Sequence, residues 1–148
     1  MVTAIGFCGG WKIGQLGIQL VTFSGDAHCF ALLNDGKRVI DATAKHGVAE
    51  RDLNDLEYDW IHFIELAPIS TKVQRSVFED FLRAEIGKPY DFGFTLGYPY
   101  LGRNWQDDDA WACSELLGDK AVKSFILTHP GKIHRLTPRN LCRRLGAL

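Results

Sequence analysis

The sequence predicts an α+β domain, an antiparallel β-meander or half-barrel packed on helices. Three features point there. Apolar runs alternate with turn residues between positions 27 and 66, a capped amphipathic stretch begins at Thr71, and helix formers follow Cys113 after a long Gly-, Tyr- and Pro-rich loop. At 148 residues the chain can bury one core of its own, so a single domain over 1–148 is expected.

In chain order, residues 11–22 (WKIGQLGIQLVT) set Trp11, Ile13, Leu16 and Leu20 near a helical period, against two glycines. Ser24-Gly25-Asp26 is a turn. The run Ala27 to Leu33 (AHCFALL) reads as a strand, Asn34-Asp35-Gly36 has hairpin chemistry, and Arg38 to Ala42 is the returning strand. Trp60 to Leu66 is a third extended piece, stopped near Pro68. Thr71 and Gln74 form a capping box, Gly87 ends that helix, and Val73, Val77, Phe78, Phe81 and Leu82 make its apolar face. Cys113-Ser114-Glu115-Leu116-Leu117 opens a second helix. A short third one follows Leu136-Thr137, with Pro138 at its first position.

Composition excludes several classes of function. Hydrophobic residues are 46% and charged residues 24%, and 17 basic against 18 acidic side chains leave a net charge of −1. No global field draws the protein to nucleic acid or to an anionic membrane. The N-terminus lacks early positive charge, and no apolar run has the length of a membrane span, so a cytoplasmic protein is expected, with a phage or prophage product as the alternative. Cys8, Cys29, Cys113 and Cys142 are too scattered for a disulfide framework. With neither C-x-x-C nor H-E-x-x-H, neither a metal nor another cofactor is expected. Asp107 to Asp109 lacks the glycine and distal glutamate of a calcium loop.

The chemistry concentrates on three residues. A thiol becomes a strong nucleophile where a helix N-terminus and an imidazole depress its pKa, and Cys113 stands at such a helix start. Taken alone it reads first as a small buried hydrophobe. His28 is the polar member of the face it shares with Phe30 and Leu32, so it is a core histidine or a base. Cys29 alternates to the other face, a packing position. Asp41 follows Val39-Ile40 on the returning strand, where a carboxylate needs exposure or a partner; a base with an orienting carboxylate is what a thiol requires. Asp91 competes for that orienting place. His46, His62, His129 and His134 have no cysteine or carboxylate partner discernible in the sequence, and surface or structural roles are expected for them. Lys132, Arg135, Arg139, Arg143 and Arg144 read as a solvated basic face, while Trp105 and Trp111 flank the nucleophile as cleft or core aromatics.

Together these pieces resemble a known family. SGDAHCFALLNDGKRVIDATAKHGV is similar to the histidine-bearing hairpin segment of NlpC-type papain-like cysteine hydrolases, and GKPYDF followed by WACSEL resembles the segment around their nucleophile. Here the histidine precedes the cysteine, which matches the circularly permuted branch that includes YiiX-like proteins and, more distantly, the lecithin–retinol acyltransferase group. The late Leu136-Thr137-Pro138-Arg139-Asn140-Leu141 fits the tail of YiiX-like sequences. The resemblance covers about residues 24–48 and 86–117. It implies a permuted papain-like fold with Cys113 as nucleophile, His28 as base, Asp41 as orienter and Tyr90 beside the nucleophile, assisting the oxyanion. At the third position many members carry His, Asn, Gln or Glu instead of Asp.

The function expected is a cysteine peptidase or amidase acting through an acyl-enzyme on a peptide or acyl-amide substrate, with cell-wall peptide as the class that the resemblance suggests. Two alternatives stand beside it. One is a lipid acyltransferase or thioesterase, for which Phe92, Phe94, Leu96, Tyr98, Tyr100 and Leu101 supply an apolar loop. The other is a non-catalytic binding module of a phage-like particle.

Overall fold

The computed structural model describes residues 1–11, 26–92, 109–128 and 136–146. The helical pattern over 12–22, the loop positions Phe94 to Asp108, and His129, Lys132, His134 and Arg135 lie outside the described residues.

Five strands form one antiparallel sheet: β1 (Val2–Gly9), β2 (His28–Leu33), β3 (Arg38–Thr43), β4 (Gly47–Asp52) and β5 (Trp60–Glu65). Their order across the sheet is β4-β3-β2-β1-β5. A short 3₁₀ turn (Leu53–Asp55) leaves β4. Among the described residues the helices are α1 (Lys72–Ala84), α2 (Cys113–Lys123) and α3 (Pro138–Leu145). The α+β class expected from the sequence is what the structure shows.

The expected elements form for the expected reasons. Gly36 takes φ +68° in the β2–β3 turn, where a side chain would be strained. Thr71 accepts from the Gln74 N–H and Gln74 reaches back to the Thr71 N–H, closing the capping box of α1. Thr137 caps α3 and Pro138 opens it.

Two strands went unread in the sequence, β1 and β4. β1 pairs with both β2 and β5 inside the sheet, and all of it but Thr3 is buried. A strand covered on both faces has no polar alternation to reveal it. β4 joins through the tight turn at Gly47 (φ +63°), and its VAERD sequence mixes charge into a half-buried ladder with β3.

Helices cover one face of the sheet. α2 packs on β2 and β3, α1 on β1 and α2, and α3 on α2. The main core lies between, built from Ile5, Phe7, Ala31, Leu33, Ile40, Phe78, Leu82, Leu116, Leu117 and their neighbours. On the opposite face Cys8, Phe30, Val39 and Leu56 form a second, smaller cluster.

The GKPYDF segment is tied into this frame at both ends. The Lys88 carbonyl accepts from the Val48 N–H at 2.8 Å, and the Gly87 N–H donates to the Val48 carbonyl at 2.9 Å. Further on, the Trp111 N–H donates to Pro89 at 3.0 Å and the Asp91 N–H to Trp111 at 3.1 Å. The sheet thereby positions the chain that runs into Cys113.

Candidate active site

β2 and β3 build the first part of the site. Ala31 pairs with Ile40 and Leu32 with Val39, and continuing that register sets Asp41 opposite Phe30. His28 then lies diagonal to Asp41 on the same face, within reach of an imidazole. The side chains meet: His28 Nε2 is 2.8 Å from Asp41 Oδ2, with both residues buried. A buried carboxylate needs more than one partner. Arg51, on the facing stretch of β4, donates from Nε to Asp41 Oδ1 at 3.1 Å and from Nη2 to Oδ2. Tyr58 stacks on the His28 ring, with centroids 5.7 Å apart and planes 12° from parallel. The imidazole is thus held at its edge and on its face.

α2 brings the thiol. Cys113 is its first residue, Ala112 is the N-cap, and the Ala112 N–H donates to the Glu115 carboxylate at 3.3 Å. The positive end of the helix lies at the sulfur. Ser114 anchors the same turn by donating its hydroxyl to the Leu136 carbonyl. The Cys113 thiol lies near the side chains of His28 and Cys29, close enough for each to act on its ionisation. With His28 Nε2 committed to Asp41, Nδ1 is the nitrogen left for the thiol.

The electrostatics follow from these contacts. The Cys113 thiol is held well below its ordinary pKa, by the hydrogen bond from Cys29 first and then by the charge and hydrogen bond of His28, against the pull of burial. Burial acting alone would lower His28. The Cys113 thiolate and Asp41 outweigh it and raise the imidazole to about 10. The arrangement favours a thiolate–imidazolium pair. Burial and the neighbouring thiolate keep the Cys29 thiol well above its usual value, so it stays protonated and donates. Cys8 is likewise pushed up, chiefly by burial, and its sulfur lies 3.7 Å from the His28 carbonyl oxygen.

Of the residues singled out in the sequence, Cys113, His28 and Asp41 come together. Asp41, not Asp91, is the carboxylate on His28; Asp91 is buried at the Trp111 bridge. Tyr90 is half-buried, bridged to Trp111 through the backbone, and its ring meets Phe92 edge-on at 5.2 Å. Cys29 does more than fill its packing position, since it also acts on the ionisation of Cys113. Arg51 and Tyr58 also went unread in the sequence. Arg51 belongs to an unrecognised strand, and no local signal marks Tyr58.

His62 also departs from expectation. It has partners: Cys142 Sγ lies 3.5 Å from Nε2 and Asp26 Oδ1 lies 3.7 Å from Nδ1. An open groove of about 860 Å³, lined in part by Lys45, His46, Glu50, Arg51, Asp55 and Tyr58, shares Arg51 and Tyr58 with the site but does not reach Cys113.

No family model matches the chain, and no curated protein is similar to it. Among solved structures it is similar to one described as the metalloprotein YiiX from Escherichia coli O157:H7. The TM-score is 0.65 at 21% identity, over 84% of this chain and 66% of that one. The chain therefore has a YiiX-like fold and spans slightly less than two thirds of that structure. No helix among the described residues is long and apolar enough to cross a membrane.

Proposed function

We propose that this protein is a cysteine hydrolase of the permuted NlpC type, cleaving an amide through an acyl-enzyme at Cys113. The observation that carries the proposal is the arrangement: a thiol at the first residue of a helix, near an imidazole whose Nε2 is held at 2.8 Å by a buried, Arg-clamped carboxylate, with the pKa directions of thiol and imidazole agreeing. The chain order His28 before Cys113 and the YiiX-like fold support the permuted assignment.

In the mechanism, the Cys113 thiolate attacks the substrate carbonyl carbon, and the oxygen takes the charge near the backbone N–H groups that open α2. Tyr90 is the proposed side-chain donor to that oxygen. His28, as imidazolium, gives its proton to the departing amine while the C–N bond breaks and Cys113 becomes a thioester. Neutral His28 then takes a proton from water, whose oxygen attacks the thioester and frees acid and thiolate. Asp41 keeps the imidazole oriented and steadies its positive form, and Arg51 keeps Asp41 ionised. Peptide, cell-wall peptide in the first instance, is the proposed substrate class.

Incubation with a panel of amide and ester substrates, read by intact mass, tests the proposal. The expected result is an acyl adduct on Cys113, absent in Cys113→Ala and slowed by two or more orders of magnitude in His28→Ala. A Cys113 that reacts with iodoacetamide at neutral pH no faster than a free peptide thiol overturns it.

A further inference from the structure

We infer that Asp26, His62 and Cys142 form a binding site for a divalent transition metal ion of the zinc class, separate from the Cys113 centre. One ligand atom from each of the three lies within 4.8 Å of the others. They come from three parts of the fold: the segment entering β2, the edge strand β5 and helix α3. No sequence spacing announces the set, and only folding assembles it.

The geometry fits a shared ion, and the hydrogen bond between Cys142 and His62 holds two of its ligands together. The Asp26 Oδ1 to His62 Nδ1 separation of 3.7 Å exceeds the ~2.7–3.2 Å of an N–H···O hydrogen bond. The His62 Nε2 to Cys142 Sγ separation is 3.5 Å. Bonds of about 2.1 Å to nitrogen and 2.3 Å to sulfur, at a tetrahedral angle, place two such ligands about 3.6 Å apart. The Cys142–His62 pair therefore stands at zinc-ligand spacing already, and an ion held at that ring nitrogen draws the Asp26 carboxylate round from the Nδ1 side, from within 4.8 Å.

Each ligand is tied to the frame of the fold. The His62 ring stacks on the fully buried Phe7, with centroids 5.4 Å apart and planes 19° from parallel. Cys142 rides on α3, whose start is capped by Thr137 and opened by Pro138. Asp26 is held next to Ala27, whose N–H donates to the Cys8 carbonyl at 2.9 Å. The ligand types narrow the ion: thiolate with imidazole and carboxylate selects zinc or cobalt over magnesium or calcium. Three protein ligands leave a fourth position, and the His62 side chain is 47% exposed, so that position faces solvent and takes water or a small anion.

The site lies on the helix-covered face, in the row His62, Phe7, Cys29 across β5, β1 and β2. At the strand spacing of a sheet, its histidine backbone is on the order of 10 Å from that of Cys29. The inference does not depend on thiol chemistry at Cys113.

Chelator-stripped protein titrated with zinc chloride by calorimetry, and with cobalt(II) by absorption, tests it. One equivalent is expected to bind, with a thiolate-to-cobalt charge-transfer band that persists in Cys113→Ala. His62→Ala and Cys142→Ser should each weaken binding by roughly 100-fold or more, beyond the usual cost of losing an outer-shell partner. In the parent protein, zinc should protect Cys142 from iodoacetamide, as read by peptide mass, and this arm needs no variant to fold. Absent saturable binding, binding that survives both substitutions, or an unprotected Cys142 overturns the inference.

Discussion

At the scale of single residues, the behaviour of the site turns on how Asp41 sets the charge of its neighbours. An imidazole raised to about 10 from its usual 6.5 stabilises the fold fully below about pH 6.5, and that contribution is lost as pH rises through about 10. A thiol depressed from 9.0 adds stability above pH 9.0 that is lost as pH falls through its lowered value. Between those limits both partners are ionised. Asp41 contributes to the rise of His28 by hydrogen bond and by charge. Asp41→Ala should therefore weaken the imidazolium and, with it, the thiolate. The acid limb of Cys113 alkylation by iodoacetamide should move up by on the order of one pH unit. Asp41→Asn keeps an acceptor for His28 and should shift it less. Coincident profiles for all three proteins would refute the orienting role.

At the scale of elements, the reach from β4 to the nucleophile passes through Gly47. It holds φ +63°, and a Cβ there would stand 2.3 Å from the Lys88 carbonyl oxygen, the acceptor of the Val48 N–H. Gly36 has a similar φ of +68° but open space around it. Both would pay the left-handed penalty of about 1–2 kcal/mol for a non-glycine residue. Only Gly47→Ala must also displace backbone. Its Tm should fall clearly further than that of Gly36→Ala in thermal unfolding followed by circular dichroism. Equal losses would show that the β4 contact with residues 87–89 does not bear on stability.

At the scale of the whole molecule, a buried charge network joins α1 to α2 beside the site. Lys120 is 3% exposed, and its ammonium lies 2.8 Å from Glu85, 3.0 Å from Asp119 and 4.3 Å from the Trp111 ring centroid. Glu85 also accepts from Trp111 Nε1 at 2.8 Å. Burial would raise the Glu85 carboxyl, but the bonds from Lys120, Lys88 and Trp111 bring it down to about 2. A carboxyl depressed from 4.5 gives stability that is present above pH 4.5 and lost as pH falls toward 2. Glu85→Gln should thus be less stable at neutral pH and show a flatter decline across that acid range, in urea unfolding at stepped pH. A parallel decline in the two proteins would remove Glu85 from the acid response.

What could be read from the chain alone is what neighbours along the chain decide. The Asn34-Asp35-Gly36 turn, the Thr71–Gln74 box, Pro138 at the start of α3 and the placing of Cys113 at a helix start each need a few adjacent residues. The closeness of His28 and Asp41 was legible for the same reason, since a short hairpin sets their register. Tertiary packing decided the rest. β1 became an interior strand between β2 and β5 with both of its faces covered, which erased its pattern. Arg51, Tyr58 and the Cys29 donor reached the site through strand register and the docking of α2 on the sheet. Asp26, His62 and Cys142 meet only where the entry to β2, β5 and α3 converge, a contact between segments far apart in sequence that no local propensity encodes.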